Sequence, residues 1–173
     1  MTCSPLRHIL LAAILAMAAN VVVAEDYMGR DDFLRLAFDQ ANPELQTLWL
    51  TKETREAARE ALGDAPAGLR LRYWRAGDRT AWILEEIGKE KPITIGVSIR
   101  ERRIERVQVL AFRESRGGEI RYPFFTEQFT GMELGSDGYL SESVDGITGA
   151  TLSVRAVDRV ARLALWLDAR VNS

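Results

Sequence analysis

The chain is poor in the side chains that usually carry enzyme chemistry. It has one cysteine, Cys3, and one histidine, His8, in 173 residues. Both stand in a stretch that reads as a cleavable secretory signal peptide over residues 1–24. Arg7 and His8 open it, Ile9 to Val23 is apolar, and Val22-Val23-Ala24 offers compact residues before Glu25-Asp26. The alternative is an uncleaved membrane anchor, for which the run is short against the roughly 20 residues of a span. Cys3 is no lipid-attachment site, because the apolar region follows it. Cleavage after Ala24 leaves a chain without cysteine or histidine. That excludes disulfides, a cysteine nucleophile and a histidine base. It also excludes thiolate or imidazole metal sites, haem attachment through cysteine and iron–sulfur clusters. Redox chemistry would have to come from an organic cofactor. There is no excess of basic charge either, with 23 Lys and Arg against 25 Asp and Glu, so no nucleic-acid partner is expected. No low-complexity tract is present.

What remains is patterned. Residues 25–68 read as an N-terminal helical segment, which forms one globular unit with residues 69–173. Asp31-Asp32 can cap a helix in which Phe33, Leu34, Ala37, Phe38 and Ala41 recur at helical spacing. After Pro43, Leu45, Leu48, Trp49 and Leu50 form an apolar patch. Thr51 is the expected N-cap of a second helix, with Glu53 in its first turn, Gly63 past its end and Ala57, Ala58, Ala61 and Leu62 as its inner face. Then the period changes to two. Leu69 to Trp74, Thr80 to Ile87, Pro92 to Ile99 and Ile104 to Phe112 alternate as strands, joined by Gly77-Asp78 and by a charged tip from Arg100 to Arg103. From Leu152 the period is helical again, with Leu152, Ala156, Val160, Leu163 and Leu167 on one stripe and Val157, Ala161 and Ala164 beside it. The predicted class is α+β: an antiparallel meander with N-terminal helices and a packed amphipathic C-terminal helix.

Two glycine-bearing stretches break these patterns. Glu114-Ser115-Arg116-Gly117-Gly118-Glu119 is a polar loop whose glycines can bring the backbone close to a ligand or serve only as a turn. The aromatic run Tyr122, Phe124, Phe125 and Phe129 follows it, as core or as the wall of a site. Further on, Asp145-Gly146-Ile147-Thr148-Gly149-Ala150-Thr151-Leu152-Ser153 leads a polar turn into the last helix. A hydroxyl at a helix start suits a phosphate, because free N–H groups and the helix dipole favour an anion there. The same residues also suit a capped helix start, with Thr148 or Thr151 as N-cap and Asp145 near the positive end.

The second stretch resembles the attachment motif of FMN-binding domains, in which aspartate, two variable positions, serine or threonine, glycine, alanine and threonine follow one another. Asp145, Gly146, Thr148, Gly149, Ala150 and Thr151 match it, and Ser153, Ala156 and Val157 continue it. The strand pair from Ile93 to Phe112, the Glu114 loop and the Phe129–Gly131 stretch come in the family's order. Similar domains serve as flavin-carrying subunits of sodium-translocating NADH:quinone reductase and of ion-pumping ferredoxin oxidoreductases. In the larger relatives the loop has threonine and proline where Ser115 and Arg116 stand here. The resemblance implies FMN held covalently at Thr151 through a phosphoester, installed from FAD by a flavin transferase with a divalent metal. It implies cofactor contacts from Asp145, Gly146, Thr148, Gly149, Ala150, Leu152 and Ser153, and from Glu114, Gly117 and Phe129. The implied role is a periplasmic electron carrier with a membrane-bound redox partner, rather than a stand-alone enzyme. The other readings are a non-covalent FMN-binding module and a flavin-free structural or adaptor domain.

Overall fold

The structure, a computed structural model, describes residues 25–39 and 41–173. The expected leader, residues 1–24, lies outside the described residues, and with it the basis for the periplasmic expectation. In chain order the elements are β1 (Glu25–Asp26), α1 (Arg30–Ala37), β2 (Glu44–Trp49), α2 (Lys52–Leu62), β3 (Arg70–Ala76), β4 (Arg79–Ile87), β5 (Pro92–Arg100), β6 (Arg103–Phe112), a short α3 (Pro123–Thr126) and α4 (Thr151–Val171). Among the described residues no helix is long and apolar enough to cross a membrane.

The strands form one antiparallel sheet in the order β1-β6-β5-β4-β3-β2. The expected meander is its centre, and two edge strands are added that periodicity does not reveal. The patch at Leu45 to Trp49 is one of them. It pairs with β3 from Glu44↔Arg75 to Trp49↔Arg70, so a stretch read as part of a helical segment is a strand. Its burial is weak, with Leu45 and Trp49 exposed, and alternation cannot show in a strand that buries little on either face.

β5 supplies the centre of the core. Ile93, Ile95, Val97 and Ile99 point to one face and each is 0% exposed. α4 covers that face with Ala156, Val157, Val160, Ala161, Ala164 and Leu167, whose spacing is helical. Leu152 and Leu163 were expected on the same stripe. Leu152 instead is exposed and Leu163 is half-buried, because the buried row reaches back from Val157 by four residues to Ser153. At its far end α4 is tied to β4: Asp168 Oδ1 accepts from Thr80 Oγ1 at 2.6 Å, and Trp82 Nε1 donates to Thr80 Oγ1 at 3.1 Å.

α1 lies on the opposite face, where Phe33 packs with Ala81 and Leu110. Gly96 makes that approach feasible, since a Cβ there would stand 2.7 Å from the Phe33 ring. The cap of α1 is Gly29, without a side-chain bond, and Asp31 and Asp32 lie in the first turn rather than at the cap. They face the positive helix end there. α2 follows expectation: Thr51 Oγ1 accepts from Thr54 N at 3.2 Å, and Gly63 ends the helix at φ 82°.

Candidate functional site

α4 starts with no side-chain cap. Its N-cap is Ala150, and Thr151 is the first helical residue, so neither Thr148 nor Thr151 takes the capping place. Gly149, at φ 84°, turns the chain into the helix. Ala150 N donates to Ile147 O at 2.9 Å and closes the turn from within. Thr151 is exposed at the surface, next to a helix end whose first amides no side chain satisfies.

The Glu114 loop comes to the same place from β6. Gly117 is buried in the left-handed region at φ 90°. A Cβ on it would lie 2.9 Å from Ser153 Oγ and 3.2 Å from Ala150 Cβ. The loop backbone thus rests directly on the first turn of α4, which only glycine permits. This contact explains why Ser153 and Ala150 are buried while Thr151 and Leu152, on the other side of the turn, are exposed.

Between the loop and the turn is a cavity of about 450 Å³, bordered by Glu114, Gly117, Gly118, Thr148 and Gly149. Its other wall is Tyr27, Arg121 and Tyr122. Arg121 donates to Tyr27 Oη at 2.8 Å and to Tyr122 Oη at 2.7 Å. Its guanidinium lies 4.5 Å from the Tyr27 ring centre and 4.6 Å from that of Tyr122, within cation–π reach of both. Burial works against the Arg121 charge, and the two tyrosines more than offset it, so its pKa is raised.

Glu114 borders the cavity but its carboxylate is engaged elsewhere. Oε1 accepts from the backbone N–H groups of Lys89, Glu90 and Lys91 at 2.6, 2.6 and 2.9 Å. Burial pushes this carboxyl up, yet the three amides prevail and hold it below the ordinary carboxylate range. Glu114 therefore pins the turn between β4 and β5 and, through it, the root of the loop.

The expected site residues fall into four groups. Glu114, Gly117, Thr148 and Gly149 surround one cavity. Ala150 and Ser153 form the floor under Gly117. Thr151, Leu152, Asp145 and Gly146 are exposed around it, and Asp145 N donates to Gln128 Oε1 at 2.8 Å. Phe129 is the correction. It is fully buried, edge-to-face with Phe125 at 5.5 Å, and packs in the main core rather than on the cavity. An apolar ring behind a 3₁₀ turn gains more by burial than by facing a polar loop. Sequence reading missed Tyr27 and Arg121. Tyr27 lies near the edge strand β1, far along the chain from the motif, and a lone tyrosine carries no spacing signal. Arg121 did stand beside the paired glycines and the aromatic run, which was the available hint.

Residues 88–165 match the model of the FMN-binding domain family. These residues are an FMN-binding domain. The match takes in β5, β6, the Glu114 loop, the Asp145–Ala150 turn and α4 as far as Leu165. No curated protein and no solved structure matches the chain. The match supports FMN as the ligand, and the cavity is of a size and lining that suit it. Its volume is within the roughly 300–1,000 Å³ of small-molecule sites. Gly117 brings bare backbone to its edge, and the uncapped helix start can receive a phosphate.

Proposed function

We propose that Thr151 carries FMN through a phosphoester and that the protein relays electrons, in the periplasm, to or from a membrane-bound redox partner. The observation that supports this most is the exposed Thr151 hydroxyl at an uncapped helix start, directly beside the Gly117 cavity. Installation by a flavin transferase would use FAD and a divalent metal. Thr151 Oγ forms a bond to the FMN-side phosphorus, the phosphorus–oxygen bond to AMP breaks, AMP leaves with the bridging oxygen, and the hydroxyl proton is released. Asp145 and Gly146 are exposed and leave the turn open to such an enzyme. The N–H groups at the start of α4 would hold the phosphate. Arg121 and the tyrosines at 27 and 122 supply a cationic and aromatic wall, and Glu114 keeps the loop in place. When bound, FMN supplies one- and two-electron chemistry; the protein contributes the tether, the orientation and the surroundings.

The test is export of the protein in cells with an active transferase. In-gel flavin fluorescence should survive boiling, intact mass should rise by FMN less one water, and Thr151→Ala should lose both. Unmodified Thr151 under those conditions would overturn the covalent reading. One observation favours non-covalent binding as the second reading: the cavity wall does not include Thr151, so its contacts exist without the ester. In that case yellow protein would lose all its colour on denaturation. A flavin-free adaptor would be colourless before it.

A further inference from the structure

A second cavity, of about 530 Å³, opens where the loop after α2, the end of β4 and the middle of α4 meet. Its walls are mainly apolar and include Leu62, Pro66, Leu71, Ile87 and Leu163. Two arginines stand at its edge. Arg159 is paired with Glu86 at 2.9 Å and also donates to Ile87 O at 3.2 Å; Arg162 is paired with Asp158 at 3.0 Å. Asp64 and Glu86 line it beside these two guanidinium groups, whereas the Glu85 carboxylate turns away to accept from Thr94 Oγ1 at 3.0 Å. An anionic ligand would meet arginines whose charge is already balanced by Glu86 and Asp158. A neutral ligand does not depend on that charge, and each guanidinium has further N–H donors for an uncharged oxygen acceptor.

The position of this cavity is as telling as its lining. Ile87 and Pro92, the residues at the two ends of the β4–β5 turn, line it. The backbone of that same turn is held by Glu114, which borders the FMN cavity. The two cavities are thus linked through one short turn. Along α4, Thr151 and Arg159 are about 12 Å apart at 1.5 Å per residue.

We propose that the second cavity binds a neutral, largely apolar small molecule bearing carbonyl oxygens, of the quinone class, with Arg159 donating to one oxygen. Binding itself stands on this cavity alone. Its role as the electron-exchange partner of the flavin rests on the reading given under Proposed function. Reduction of a quinone to its hydroquinone takes up two electrons and two protons, and reduced flavin releases the same on returning to the oxidised form.

The experiment uses the mature full-length chain with Thr151→Ala, so that failure of flavin attachment does not affect the outcome. 1,4-Naphthoquinone and decanoate are each titrated against it by calorimetry and by amide NMR. The expected result is saturable one-to-one binding of the naphthoquinone, with shifts around Leu62, Ile87 and Leu163. Ala65→Trp, which fills the cavity, should abolish binding. Arg159→Met should weaken it about tenfold at an unchanged melting temperature, and it serves as the second variant should the tryptophan fail to fold. Absence of saturable naphthoquinone binding would overturn the proposal. So would decanoate binding of equal strength, or shifts confined to Tyr27 and Arg121.

Discussion

Gly117 and Gly149 both border the cavity between the Glu114 loop and the start of α4, in nearly the same backbone conformation, at φ 90° and 84°. Their surroundings are opposite. A side chain on Gly117 would run into Ser153 and Ala150, whereas one on Gly149 would meet nothing within 4 Å. The loop side is therefore a packed wall, pinned by Glu114 below and resting on α4 above. The turn side is open, with Asp145, Gly146, Thr148 and Thr151 all exposed. On the covalent attachment proposed above, this division would suit a group installed by another protein and then held still: a rigid wall on one side and an accessible hydroxyl on the other.

The largest expected effect is on the open side and is all-or-none. Thr151→Ala should remove the whole of the boiling-resistant flavin fluorescence while shifting stability by no more than about 0.5 kcal/mol in urea unfolding, as an exposed site allows. A substantial loss of stability would show that Thr151 belongs to the packed side. On the wall, Gly117→Ala combines an unfavourable φ with overpacking. It should cost about 3 kcal/mol, read as a drop of about 6–12 °C in melting temperature, and should weaken FMN binding.

Glu114→Ala comes next. It leaves three amides without their acceptor and should cost about 2 kcal/mol. The native Glu114 carries a pH signature of known sign. Its folded pKa is depressed, so its contribution is present above the unfolded-state value and is lost as pH falls through the folded one. Glu114→Gln should flatten that acid-side decline in a pH series of denaturant midpoints. Gly149→Ala should cost only about 1 kcal/mol, the penalty of the left-handed backbone without any clash. Gly146→Ala, at ordinary φ and in open space, should lie within about 0.5 kcal/mol of the parent and serves as the baseline. Equal costs for Gly117→Ala and Gly149→Ala would dissolve the distinction between wall and turn.

Much of the fold was legible along the chain. The alternation of Ile93, Ile95, Val97 and Ile99, the Thr51 cap and the amphipathic last helix are local patterns, and local patterns persist wherever a core exists to receive them. β2 was not legible, because its side chains bury too little to alternate. In the candidate site, Thr151 and its neighbours were singled out through a contiguous motif, and the structure places them at the start of α4. Phe129 was misplaced because an aromatic ring looks the same in sequence whether it faces a ligand or a core. Tyr27 was missed because its partner, Arg121, is distant along the chain.

The order of residues by itself determined the sheet's central strands and the amphipathic last helix, since each rests on neighbours within a few positions. Tertiary structure alone decided that Gly117 would bear on Ser153, that Glu114 Oε1 would hold the β4–β5 turn, and that Tyr27 and Arg121 would line the cavity. Those outcomes depend on how elements far apart in the chain are brought together by burial, and burial is a property of the whole packed molecule rather than of any one segment.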